Sequence, residues 1–367
     1  MSHSAGESSD ASRTEPTAPG ELKSETGRGR HAQSPTQIPW CGWKDVVWRV
    51  YNEVGRDNVL DVAASVAFYG LLALYPALLA TISMYGLLSD PTDVIRQVNQ
   101  LSIALPAGAR SAVMNQMRDI ARTSPTGLGL GLLLSLGVAF LSASSGVAAL
   151  MRGISAVYDE RDTRGWVRVR LIALSFTMSL SLFVILSVST ITVLPSVVER
   201  VGLGRAPLVL VRFARWPTLA LAAVACLAIL YRHAPNRTPA RWKWVAPGAI
   251  LATLIWTVGS FSFGLYVENF GRFNRTYGTI GGAVVLSLWM YMSALAILLG
   301  AELNAELERQ TEVDSTTGQP RPMGERAASV ADNLGPPRPQ PPARGIKQTL
   351  TDTVSDLSRP GKRKGNS

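Results

Sequence analysis

Apolar residues in this chain gather in long uninterrupted runs instead of recurring at the spacing of an amphipathic soluble helix. Read between successive charged residues, the charge-free intervals are Val62 to Ser89, Thr123 to Met151, Leu171 to Val198, Trp216 to Tyr231, Trp244 to Val267 and Thr276 to Ala301. A helix needs about 20 apolar residues to cross a bilayer. The pattern therefore predicts an all-α fold, a polytopic integral membrane bundle of six transmembrane helices at about 60–89, 124–150, 168–195, 214–232, 244–267 and 278–301. The fourth interval has only 16 residues, which Arg215 and Arg232 can extend by snorkelling to the two interfaces.

The flanks read differently. Residues 1–39 are dominated by Ser, Thr, Pro, Gly, Glu and Arg, the composition of a disordered tail, and residues 311–367 form a second polar tail with the Pro-rich run GPPRPQPPARG. Residues 40–310 are the membrane domain. At its start, within 40–58, Trp43, Val47, Val50, Tyr51 and Val54 recur at helical spacing beside Lys44, Asp45, Arg49 and Arg56. This predicts an amphipathic helix lying on the membrane interface. The segment 90–123 carries two apolar stripes, Val94, Ile95, Val98 and Leu101, then Val113, Met117 and Ile120, separated by Pro106. Two short amphipathic helices at the extracytoplasmic surface follow from it.

Within the spans, Pro76 removes a backbone hydrogen bond and predicts a kink, with Tyr69 and Tyr75 beside it. Gly127 and Gly131, Ser142 and Gly146, and Ser260 and Gly264 stand four apart, giving small faces for close helix packing. The third span carries serine and threonine at many positions, which predicts a place inside the bundle. The last span opens on Tyr277, Gly278 and Gly281 and runs directly into Glu302, Asn304 and Glu306.

A formal charge of +10 in a soluble protein would suggest nucleic acid, but here the basic residues stand next to the spans. Five arginines lie between Met151 and Arg170 and four basic residues between Arg232 and Lys243, a density that places both termini in the cytoplasm and removes the need for a nucleic-acid partner. The first apolar run is too long for a signal-peptide core and reads as an uncleaved anchor. Cys41 and Cys226 have no plausible disulfide partner.

Candidate chemistry is sparse. His3 and His31 lie in the N-terminal tail and His233 stands alone; HExxH, CxxC and P-loop spacings are absent, and the spans contain neither histidine nor lysine. No catalytic residue, metal site or cofactor is expected, and the chain does not read as an enzyme. Asp61, Glu302, Asn304 and Glu306 have two readings: a cytoplasmic gate, or helix ends fixed by Arg161, Arg164, Arg168 or Arg170.

Three stretches resemble the YihY/virulence factor BrkB family of bacterial inner-membrane proteins. DVAASVAFYGLLALYPALL is similar to its first span, YGTIGGAVVLSLWMYMSALAILLGAELNAELER to its last, and SGVAALMRGISAVYDERDTRGWVRVRL to its second cytoplasmic connection. The family often has Asn where this chain has Ser155, so a role tied to that Asn does not transfer. The resemblance implies six helices in the bacterial cytoplasmic membrane. A ribonuclease label attached to some members finds no metal-binding constellation here. The expected role is transport of a solute or lipid, or maintenance of the envelope; the alternative is a non-transporting scaffold that recruits partners through its tails. Membrane lipids are the expected partners, with room for a homo-oligomer.

Overall fold

The computed structural model describes residues 27–88, 125–201, 205–270 and 274–339, and in parts of the long helices the backbone alone is described. The segment expected at 90–123, and residues 1–26 and 340–367 of the expected tails, lie outside the described residues. A 3-10 turn at Pro35–Gln37 precedes α1 (Trp40–Arg56), which is followed by α2 (Val59–Leu88), α3 (Pro125–Val157), α4 (Trp166–Val201), α5 (Arg205–His233), α6 (Trp242–Phe270) and α7 (Asn274–Glu308). A single turn, α8 (Ser329–Asp332), comes last. The fold is all-α; the described residues form no strand beyond one bridge between Ala240 and Thr316.

Five helices contain stretches long and apolar enough to cross a membrane: Leu136–Val157, Trp166–Phe183, Phe213–His233, Trp242–Val267 and Val284–Glu308. In α2 the corresponding stretch is Val59–Ala73, inside a helix of 30 residues that continues through Pro76. At about 1.5 Å per residue, such a helix exceeds the roughly 30 Å apolar core of a bilayer. The fourth expected span is longer than its charge-free interval, because α5 continues through Arg215 and Arg212 to Arg205.

Packing is closest between α2 and α3, then between α6 and α7, with α7 also lying along α2. The described core is concentrated at one end of the bundle. There Val59 and Ala63 of α2, Met151 and Ile154 of α3, Tyr231 of α5, Trp244 and Ala249 of α6, and Leu298 and Ala301 of α7 are all buried. Away from this end the side chains turn outward, as Leu133 and Leu134 of α3 and Leu221 of α5 do.

Two expectations are corrected. The hydroxyl-rich helix α4 is peripheral: Leu171, Met178, Leu180, Leu182 and Leu186 are exposed. Ser175, Thr177, Ser179, Ser181 and Thr190 each donate to the carbonyl four residues earlier on their own helix, so these five hydroxyls are satisfied locally. Part of each expected tail is also packed chain. Residues 27–39 and 311–339 pack on the end of the bundle, burying Ala32, Ile38, Thr311, Thr316, Val330 and Ala331. Composition had suggested solvated chain, but few apolar residues suffice when backbone groups find partners: Thr311 Oγ1 donates to the carbonyls of Arg30 and Ala32, and Glu312 N donates to Arg30 O at 2.7 Å.

Candidate functional site

Where α1, the start of α2, and the ends of α3 and α7 meet, the two packed tail segments close a cap over a buried polar network. Its spine is the last two turns of α7. Glu302, Asn304, Glu306 and Glu308 are each at most 1 % exposed, an unusual density of acidic groups for an interior.

Three of the four are fully explained by partners. Asn304 bridges α7 to α6: its amide donates to Val245 O at 3.0 Å and its carbonyl oxygen accepts from Gly248 N at 2.7 Å. Those two groups flank Pro247, which has no N–H to give to the helix ladder. At the same crossing a Cβ on Gly248 would collide with the Gly300 carbonyl and the Asn304 amide, and one on Gly300 with Tyr231 Oη. Glycine at both positions lets the two backbones touch.

Glu306 pairs with Arg49 of α1 through Nε, and with Arg309 one turn on at 3.1 Å. Arg49 is 2 % exposed and spends its other donors on Glu306 O, Gln310 Oε1 and Pro336 O. Glu308 accepts from Arg237 Nη2 and from Ser315 Oγ, each at 2.6 Å. The Arg237 guanidinium also lies 4.3 Å from the centroid of the Tyr158 ring. Burial disfavours the Arg237 cation, but the Glu308 carboxylate outweighs it and raises its pKa above the ordinary arginine value. Burial, then the nearby Glu308 charge, holds Tyr158 as a phenol well above its usual range.

Glu302 differs. Neither of its carboxyl oxygens has a hydrogen bond. Asp57, in the turn between α1 and α2, lies beside it, one carboxyl facing another with no donor between them. Burial pushes the Asp57 carboxyl up, with Glu53 adding to the effect, while Glu302, Arg309 and Arg56 act against it.

The sequence-derived residues fall into several groups. Glu302, Asn304 and Glu306 are brought together, but Asp61 is exposed on the first turn of α2 and Asp57 stands nearer Glu302 in its place. The arginines expected to fix the acidic helix end do other work: Arg164 pairs with Asp162, and Arg170 bonds Ser145 Oγ and Leu141 O. Tyr69 is half-buried and packs edge-on against Phe68. Pro76, Tyr277, Gly278, Gly281, Gly127 and Gly131 lie in helices whose side-chain surroundings there are outside the described residues.

Among the expected packing positions, Gly146 meets α2 closely, with the Tyr69 Cβ 3.5 Å from where its own Cβ would stand. Ser142 is half-buried on the same helix. Ser260 accepts from Trp289 Nε1 at 3.3 Å, and the reciprocal bond runs from Trp256 Nε1 to Ser293 Oγ at 3.0 Å. Gly264 opens on empty space, so it is not a contact.

Arg49, Asp57, Tyr158, Arg237, Gly248 and Gly300 were missed. One signal was present: Asp45, Arg49, Glu53 and Asp57 recur every four residues along α1 and its cap. Such a charged stripe reads as a solvated face, yet here Asp45 and Arg49 are buried and Trp40, Val47 and Tyr51 are exposed. The packed tails cover the charged side. Asp45 accepts from Arg28 at 2.8 Å and from Arg338 N at 3.1 Å.

This architecture, several apolar helices closed at one end by a polar cap, defines a multi-pass membrane protein. The chain belongs to the Virulence factor BrkB family, whose model matches residues 50–324. It is similar to the putative ribonuclease-like protein YfkH of Bacillus subtilis, at 32% identity over 259 residues, 68% of this chain and 90% of that protein. A UPF0761 membrane protein of Stenotrophomonas maltophilia, Smlt0865, is 27% identical over 263 residues, 68% of this chain and 58% of its own length. A UPF0761 membrane protein of Tolumonas auensis is 39% identical over 87 residues, 24% of this chain and 28% of its own. No solved structure matches.

Proposed function

We propose that this protein moves a small solute or a lipid across the bacterial cytoplasmic membrane, with the capped end and both termini in the cytoplasm. One observation carries the reading: Glu302, at the end of a membrane-length helix, is buried with both carboxyl oxygens unbonded while every acidic neighbour on the helix is paired. A purely structural acid would be paired or replaced by an apolar residue, and an unpaired buried acid directly after a membrane span points to a pathway. The arginines clustered at the same end support its cytoplasmic orientation.

Reconstitution tests it. Proteoliposomes holding the full chain are expected to flip a labelled phospholipid or take up a component of a cell extract detected by mass spectrometry, and to lose this with Glu302→Gln. Equal behaviour of wild type, variant and empty liposomes in both assays would end the transport reading. The role is non-enzymatic, and the ribonuclease wording in the YfkH name is not carried over. Metal-dependent RNA cleavage that persisted through purification would restore it.

A further inference from the structure

We propose that Glu302 and Asp57 form a proton-binding site, two carboxyl groups holding one proton between them. It deepens the transport reading by naming the coupling ion, and rests on that reading only for what the proton drives.

Arginine is abundant at this end, yet none of it is spent on Glu302: Arg49 and Arg309 serve Glu306, and Arg237 serves Glu308. The groups that weigh most on Glu302 are Asp57 from the turn, Glu53 from α1, Tyr158 from the end of α3 and Glu306 from its own helix, all acidic or neutral; Arg309 and Arg56 reach the site through Asp57. A carboxylate there would be stripped of water and surrounded by its own sign of charge.

A proton removes both difficulties. The protonated Glu302 becomes a donor, and the Asp57 carboxylate beside it becomes the acceptor. One negative charge then remains on the pair, and Arg309 and Arg56 act on Asp57 to balance it. Two adjacent carboxyls that share one proton are the expected outcome when both cannot ionise together.

The exit is also in place. Asp57 is half-buried and its neighbour Asn58 is exposed, in the left-handed region at φ 51°. When the Glu302 O–H bond breaks, the proton passes by way of Asp57 to water at this turn. Two repelling carboxylates then remain, Glu302 on α7 and Asp57 in the two-residue junction between α1 and α2. Proton release therefore loosens the seam where the cap meets the bundle.

Infrared difference spectroscopy on the full chain in lipid nanodiscs, without substrate or gradient, tests the site. A protonated-carboxyl stretch is expected at neutral pH and lost on alkalinisation. It should be missing in Glu302→Gln and lost at lower pH in Asp57→Asn. If Glu302→Gln does not fold, ¹³C-glutamate labelling of the wild type replaces it, and the band must shift. No such band at neutral pH, or a band unmoved by substitution or label, overturns the proposal. A positive spectrum with failed transport sinks the transport reading alone, and the converse sinks only the proton site.

Discussion

Arg49 and Glu306 form a buried ion pair between residues 257 positions apart, tying the helix before the bundle to the end of its last helix. Removing one partner strands the other charge, which costs about 3–5 kcal/mol. Arg49→Met is therefore expected to lower the unfolding temperature in detergent sharply, and the double variant Arg49→Met with Glu306→Gln to recover much of the loss. A double variant as unstable as the sum of the singles would show that the pair is not the unit that matters.

The α6–α7 crossing gives a second test. Gly300→Ala forces a methyl group against Tyr231 Oη and the Gly248 carbonyl; overpacking of this kind costs about 1–3 kcal/mol. Gly264→Ala meets nothing within 4 Å and should stay within about 0.5 kcal/mol of wild type. Thermal unfolding of the two variants side by side distinguishes contact glycines from incidental ones.

Acid should loosen the cap. Burial opposes the Asp314 charge, but the N–H groups of Arg321 and Thr316 and the Thr316 hydroxyl hold its carboxyl below the ordinary aspartate range. A depressed carboxyl contributes stability that is complete above the unfolded value and lost as pH falls through the folded one. Asp314→Asn is expected to weaken the cap by about 1–3 kcal/mol at neutral pH. The difference from wild type should shrink below the ordinary carboxylate range, read by hydrogen exchange of residues 311–332.

Truncation tests what the packed part of the N-terminal segment contributes. Deleting residues 1–26 leaves every contact among the described residues in place and serves as the reference. Extending the deletion to residue 39 removes buried Ile38 and the Arg28–Asp45 pair and exposes Asp45 and Thr311, so the temperature should fall. Equal behaviour of the two truncations would show that the inner tail contributes nothing.

The fold class was readable because the bilayer demands long charge-free runs, and those runs, with the Leu-Gly-Ala-Glu-Leu-Asn-Ala ending of α7, also carried the family resemblance. The site was half readable. Glu302 stands out as an acid directly after an apolar run, but Asp61 is the candidate acid at the start of α2 and Asp57 is the one beside Glu302, because linear order does not say how a two-residue turn folds back. The tails were misread for a related reason: polar composition predicts solvation unless another segment supplies partners for its backbone.

The sequence by itself determined that apolar helices cross a membrane, which helix ends carry charge and which family the chain resembles, since each follows from local composition and length. Only the tertiary structure decided that the charged stripe of α1 turns inward, that Arg49 and Arg237 neutralise Glu306 and Glu308, and that Glu302 is left facing Asp57. Those are pairings across the bundle, and their energies depend on burial and distance, which exist only once the helices have met.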